Sequence, residues 1–214
     1  YIDGIGAQIN AFTSKQTTCF YTLSIDTQAE NCARILSEIL FESTFDKDEM
    51  EREKGVVLEE ISMCEDDNSD IVLDLLAEGY FGKNPLGMTI LGERKNVKNF
   101  TRQDLIDYIS KNYCAESSVV SIVGNIKFDG AKELVEKYFE GKFSSNCSRK
   151  WQDERHSTTP SVKSKFKDIE QSNIAIGFPA FDYDSKYSMA EMLVNTIVGG
   201  GMSSRLFQEV REKS

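Results

Sequence analysis

Met50-Glu51-Arg52-Glu53-Lys54-Gly55-Val56-Val57-Leu58-Glu59-Glu60-Ile61-Ser62-Met63-Cys64 is the stretch on which the reading of this 214-residue chain turns. Wound at roughly 100° per residue, it sets Met50, Val57, Ile61 and Cys64 on one stripe with Val56 and Met63 at its edge, which predicts an amphipathic helix from about Asp46 to Cys64. Glu53 and Glu60 fall inside that apolar arc, whereas Glu51 and Glu59 point elsewhere. A carboxylate on a core-facing stripe loses hydration and is tolerated only beside a cation, a metal or good hydrogen-bond donors. Two of them, two turns apart on one face, ask for a shared partner. Periodicity alone also allows both to sit at the margin of the stripe and bend to water.

Working outward, Gln8-Ile9-Asn10-Ala11-Phe12-Thr13 and Thr18-Cys19-Phe20-Tyr21-Thr22-Leu23-Ser24-Ile25 flank the polar Ser14-Lys15-Gln16-Thr17 and read as a hairpin. The polar Gln8, Asn10 and Ser14 make the first of these strands an exposed sheet edge. Cys32, Ile35, Leu36, Ile39 and Leu40 recur at helical spacing behind a cap at Asp26 or Thr27. Beyond the central helix a third helix covers Ile71-Val72-Leu73-Asp74-Leu75-Leu76-Ala77, and Gly79, Gly82, Pro85, Gly87 and Gly92 open a long loop. Thr101-Arg102-Gln103-Asp104 starts a helix with a capping box, with Leu105, Ile106, Tyr108 and Ile109 inward. Ser118-Val119-Val120-Ser121-Ile122-Val123-Gly124 reads as a strand, and Asp129 as the cap of a helix that buries Leu134, Val135, Tyr138 and Phe139.

Residues 1–140 therefore make a first domain. Residues 141–163, rich in Ser, Thr, Lys and Arg, make a linker that contains the only histidine, His156. Residues 164–214 begin a second similar domain, with a strand at Asn173-Ile174-Ala175-Ile176-Gly177-Phe178. A helix follows from about Asp184, stopped at Gly199-Gly200-Gly201, and another is capped by Ser203 or Ser204. Strands and helices intermix without strict alternation, so the fold class is α+β, a mixed sheet packed by several helices.

Composition narrows the partners. Thirty-five acidic against 25 basic residues give a formal net charge of -10, whose field repels nucleic acid. No apolar run approaches the roughly 20 residues that span a bilayer. The chain starts at Tyr1 and ends in a charged helical run, so both ends read as cut. Five widely spaced cysteines without a Cys-x-x-Cys pair suggest free thiols in a reducing, cytoplasmic setting. The triple glycine lacks the Lys-Ser or Lys-Thr of a phosphate loop, and Glu65-Asp66-Asp67-Asn68-Ser69-Asp70 lacks the glycine and terminal glutamate of a calcium loop. The first reads as a helix stop, the second as a turn that caps the next helix.

Glu-x6-Glu in its Glu-Lys-Gly-Val-Val-Leu-Glu-Glu-Ile context resembles the distal half of the inverted-motif zinc peptidases, the pitrilysin and insulinase relatives that include the mitochondrial processing peptidases. The resemblance extends over nearly the whole chain. Gly4-Ile5-Gly6-Ala7-Gln8-Ile9-Asn10-Ala11-Phe12-Thr13 is similar to the family's edge strand, and Asn84-Pro85-Leu86-Gly87-Met88-Thr89-Ile90-Leu91-Gly92 to its loop. The run from Gly200 to Lys213 is similar to the opening of its second domain. In such enzymes a His-x-x-Glu-His helix supplies two zinc ligands and the catalytic base, and a glutamate of a following helix the third ligand.

By position, the resemblance makes Glu60 that metal ligand and Glu53 the accessory catalytic acid. It makes Asn10, Ala11, Phe12, Thr13 and Arg211 substrate-binding residues. Arg211 matches an arginine that works with a tyrosine seven residues on, a position beyond Ser214, and no His-x-x-Glu-His occurs in the chain; truncation accounts for both more simply than mutation. The resemblance implies a zinc-dependent endopeptidase or processing peptidase acting on peptides or unfolded proteins, with a homodimer allowed and neither nucleic acid nor membrane as partner. The chain alone is then expected to be inert and to hold zinc weakly or not at all. The alternatives are a non-catalytic, peptide-binding or structural subunit of the same family, and a plain binding domain whose acids are ordinary surface groups.

Overall fold

The hairpin forms as its alternation suggests. Strand β1 (Gln8–Thr13) pairs antiparallel with β2 (Thr18–Leu23), from Gln8 opposite Leu23 to Thr13 opposite Thr18. The Ser14 N–H donates to Thr17 O at 2.8 Å and Thr17 N–H donates back to Ser14 Oγ at 3.1 Å, so the polar turn satisfies itself. These coordinates come from a computed structural model that describes residues 1–144 and 160–213. His156, Cys147 and most of the expected linker lie outside the described residues.

Helix α1 (Ala29–Phe41) leads, through a turn at Glu42, to α2 (Lys47–Asp66), and α3 (Asn68–Phe81) follows directly. Two aspartates make this possible. Asp46 accepts from the N–H groups of Asp48 and Glu49 to start α2, and Asp67 accepts from those of Ser69 and Asp70 to start α3. The acidic cluster is thus a capping turn, as its sequence suggests. Next come α4 (Arg94–Asn99), α5 (Arg102–Asn112), which carries the expected Thr101–Asp104 capping box, and α6 (Phe128–Phe139). The Asp129 cap does not form; the cap position falls two residues earlier, at Lys127, with no side-chain cap, and α6 starts at Phe128.

Packing concentrates where α1 meets α6. Ser37 is fully buried, donates to Tyr138 O and accepts from Lys142 Nζ at 3.1 Å. The Phe41 ring meets Phe139 and Phe143 edge-on at 6.2 and 5.0 Å between centroids. Ion pairs of Glu30 with Lys137 and Glu42 with Lys142 rim the contact. The hairpin joins this body at its turn, where Lys15 Nζ donates to Met88 O and lies 3.8 Å from Asp74 of α3. Further along, residues 160–167 run beside α3: Ser161 Oγ donates to Gly79 O, Lys163 pairs with Glu78, and Lys167 Nζ donates to Glu65 O and Asn68 Oδ1.

The α+β class holds, with the sheet reduced among the described residues to the β1–β2 hairpin. The apolar runs at 118–124 and 173–178 were expected as strands but are unpaired, and Val119, Val123, Ile174 and Phe178 are exposed. A strand exists only as part of a ladder, and neither run has a neighbour among the described residues to complete one. Free thiols are found at Cys19, Cys32 and Cys64, but Cys114 is disulfide-bonded, which removes part of the argument for a reducing setting. No helix among the described residues is long and apolar enough to cross a membrane.

By contacts the chain divides into two units, Tyr1–Asn173 and Ile174–Ser214. The second holds α7 (Ser188–Gly199), shorter at its start than expected, and a π-helical turn, Phe207–Glu212. Gly200 closes α7 at a position where a Cβ would stand 2.6 Å from Thr196 Cα, and Ser204 Oγ accepts from the Phe207 N–H at 3.3 Å.

The α1–α6 contact makes a direct forecast. Ser37→Ala strands the Tyr138 carbonyl in a buried site and should cost about 1–3 kcal/mol of stability. Urea unfolding checks this as a lower midpoint at unchanged slope; an unmoved midpoint contradicts the role given to Ser37.

Candidate functional site

Helix α2 presents two unlike faces. Lys54, Val57, Leu58, Ile61 and Ser62 are buried or half-buried, and Ile61 is the innermost. Lys54 Nζ donates to Lys98 O of α4 at 3.4 Å and also pairs with Glu51. Arg94, the first residue of α4, donates from Nε and Nη2 to Glu65 Oε2 at 3.2 and 2.5 Å, from Nη1 to Leu58 O at 3.3 Å, and from Nη2 to Ser62 Oγ at 2.8 Å. Hydrogen bonding to this guanidinium holds the Glu65 carboxyl below the ordinary glutamate value.

The other face carries Glu53, Val56, Glu60 and Met63, all exposed. Here the expectation of two acids sunk in the apolar arc is corrected. The packed arc is rotated toward Lys54, Leu58 and Ser62 because polar side chains with partners on α4 pack as well as apolar ones. Glu53 and Glu60 are left on the far margin. On the same helix Glu49, Glu51 and Glu65 pair with Arg52, Lys54 and Arg94, yet Glu53 and Glu60 have no hydrogen bond or ion pair among the described residues.

Seven residues of helix separate Glu53 and Glu60 by about 10.5 Å along the axis. Both side chains lean toward the helix start, so they cannot close on one ion as paired ligands. A catalytic zinc takes three protein ligands, and no cluster of three or more His, Cys, Asp or Glu converges among the described residues. The donor set present fits one ligand position. Glu60, an exposed carboxylate without an internal partner, has the chemistry for it.

The residues expected at the peptide site divide between the two units. All six residues of β1 are exposed. Because Ser14 N–H bonds to Thr17 O, the bonded rungs in step with it are Phe12–Cys19, Asn10–Tyr21 and Gln8–Leu23. The main-chain groups of Ile9, Ala11 and Thr13 then face outward, where no strand pairs among the described residues. Asn10 main-chain groups therefore belong to the ladder, and the Ala11 N–H is met by Asn10 Oδ1 at 2.8 Å. Phe12 is exposed and its ring lies 6.4 Å from that of Tyr21. Arg211, in the second unit, is exposed in the π-helical turn with its guanidinium 5.0 Å above the Phe207 ring. Sequence reading passed over Arg94; its one signal was a charged residue opening a short helix just after a glycine-rich loop.

Residues 99–214 match the family described as Peptidase M16 inactive domain, and residues 1–94 the one described as Insulinase (Peptidase family M16). The chain is 38% identical over 210 residues to the uncharacterized zinc protease YmxG of Bacillus subtilis, covering 98% of this chain and 51% of that protein. It is 34% identical over 218 residues to the uncharacterized zinc protease SCO5738 of Streptomyces coelicolor, covering 99% and 48%. Its fold is similar to the crystal structure of a protease from Helicobacter pylori, with a TM-score of 0.75 and 21% identity over 99% of this chain and 52% of that one. The chain thus spans about half the length of the curated relatives it matches.

The Arg94–Glu65 contact can be checked by titration. Glu65 has its folded pKa lowered, so what the pair adds to stability is present above the unfolded glutamate pKa and is lost as pH falls through the folded value. A side-chain NMR titration should find the Glu65 midpoint below the ordinary value and Arg94→Ala should bring it up. A midpoint indifferent to Arg94→Ala contradicts the contact.

Proposed function

The chain belongs to peptidase family M16, and from that premise we propose that it supplies one zinc ligand, Glu60, and one peptide-binding edge, β1, to an enzyme that hydrolyses peptides. The observation that carries the reading is that Glu53 and Glu60, two turns apart, share the exposed face of α2 with Val56 and Met63 and have no side-chain hydrogen bond or ion pair among the described residues. Asp48, Glu59 and Asp66 also have none there, whereas Glu49, Glu51 and Glu65 each hold a cation. The names of the relatives as zinc proteases support the metal. Zinc, when held there, would supply Lewis acidity toward a peptide carbonyl and a water. Glu60 contributes a carboxylate oxygen to its shell. Glu53, two turns earlier, orients a neighbouring ligand or water by hydrogen bonding.

The outward main-chain groups of Ile9, Ala11 and Thr13 hold an extended peptide as an added strand, whatever its side chains. The carbonyl of the incoming strand replaces Asn10 Oδ1 on the Ala11 N–H, while Phe12 offers an apolar surface beside it. Arg211, in the second unit, is assigned separately as a charge-assisted donor to substrate in the complete protein. The complete protein is read as an endopeptidase or processing peptidase in a cytoplasmic setting, which the free thiols at Cys19, Cys32 and Cys64 support and the disulfide at Cys114 opposes. Residues 1–140 form one peptidase-like domain and 164–214 begin a second in this reading, joined by 141–163, and the chain alone does not turn over. A non-catalytic subunit of the same family is the second reading, favoured by the match of residues 99–214 to an inactive domain. It binds the same peptides with no zinc and no turnover.

Two outcomes are expected in the complete protein. Glu60→Gln should abolish tight zinc binding, and Glu53→Gln should lower affinity or activity about 10 to 100-fold; wild-type metal content and turnover in Glu60→Gln would remove the ligand assignment. Ala11→Pro takes away an outward N–H and spares the ladder bonds, so KM for an extended peptide should rise roughly tenfold, the value of one hydrogen bond, with kcat less affected. An unchanged KM contradicts the added strand.

A further inference from the structure

We infer that Arg94 is a positioning residue for Glu60, gripping α2 from the face opposite that carboxylate and so setting the direction in which it points. The inference rests on the reading of Glu60 as a zinc ligand. Leu58 and Ser62 stand two residues before and after Glu60, and on an α-helix such positions lie roughly 160° round the axis from it. Arg94 touches both, at Leu58 O and Ser62 Oγ, and takes a third hold one turn on at Glu65. The turn that carries Glu60 is thus held from behind at three heights.

The hold answers a weakness in the helix. Ser62 Oγ donates to Leu58 O at 3.0 Å, a back-bond of the kind that bends helices and loosens the local ladder. Arg94 Nη1 donates to the same carbonyl and Nη2 to the same hydroxyl, so one planar guanidinium closes the network over that turn. A lysine ammonium is a single point of charge and cannot reproduce the fork. The guanidinium is itself carried on a fixed element. Val97 is buried on α4, and Lys54 Nζ reaches Lys98 O, so the element that carries the arginine is tied to the glutamate helix at a second point. Without Arg94 the back-bonded Leu58–Ser62 turn loses that brace, and the aim of Glu60 varies with it.

The test uses the complete zinc-loaded protein, with zinc affinity and zinc release rate measured by chelator competition, beside kcat and KM for a peptide. Glu60→Gln should lose tight zinc. Arg94→Ala should weaken zinc affinity about 10 to 100-fold and speed release, and Arg94→Lys should do nearly as much. In both, kcat should fall while KM stays near wild type, since the peptide edge lies elsewhere. Should Arg94→Ala not fold, Arg94→Lys decides. If Glu60→Gln loses zinc but Arg94→Lys and any folded Arg94→Ala keep affinity within about twofold of wild type, the role of Arg94 is overturned and the ligand reading stands. If Glu60→Gln keeps wild-type zinc, the ligand reading itself falls and this inference falls with it.

Discussion

A helix can turn only one face to its neighbours, and on α2 that face is already taken. Arg94 and the Lys98 carbonyl draw Lys54, Leu58, Ser62 and Glu65 toward α4, and Ile61 completes the buried row. Glu53, Val56, Glu60 and Met63 are left together on the opposite side. Their exposure follows from the 3.6-residue period once the packed arc is set. Two carboxylates without partners among the described residues, beside two exposed apolar side chains, make a surface suited to something else's donors. That is the physical core of the functional reading.

Much of the fold was legible in the chain. Alternation around Ser14-Lys15-Gln16-Thr17 gave the hairpin, Asp46 and Asp67 marked the starts of α2 and α3, and Thr101 with Asp104 formed their box as written. The helix carrying Glu53 and Glu60 was found, but its orientation was misjudged. Apolar periodicity weighs only apolar residues, whereas the packed face of α2 includes a lysine, a serine and a glutamate that arginine and a carbonyl satisfy. The runs at 118–124 and 173–178 have the composition of strands, but β-structure depends on a partner that composition does not supply. The disulfide at Cys114 was invisible for a related reason, since spacing along the chain says little about proximity in space.

Family membership and site geometry carry different parts of the account. Membership brings zinc peptidases into view, through relatives of which this chain spans about half. Geometry shows which groups here are exposed and without a partner among the described residues, Glu53, Glu60 and the outward main-chain side of β1, and their roles toward a metal and a peptide are the proposal built on it. The edge also illustrates how an exposed strand is kept in check. Asn10 bonds its own neighbour's N–H through Oδ1, so the free edge carries a built-in substitute until another strand displaces it.

Zinc-edge anomalous diffraction from crystals of the complete protein tests the central claim most directly, because it locates the metal without reference to activity. The account expects one zinc with a Glu60 carboxylate oxygen at about 2.0–2.2 Å and Glu53 outside direct coordination. A zinc whose protein ligands do not include Glu60 would contradict it.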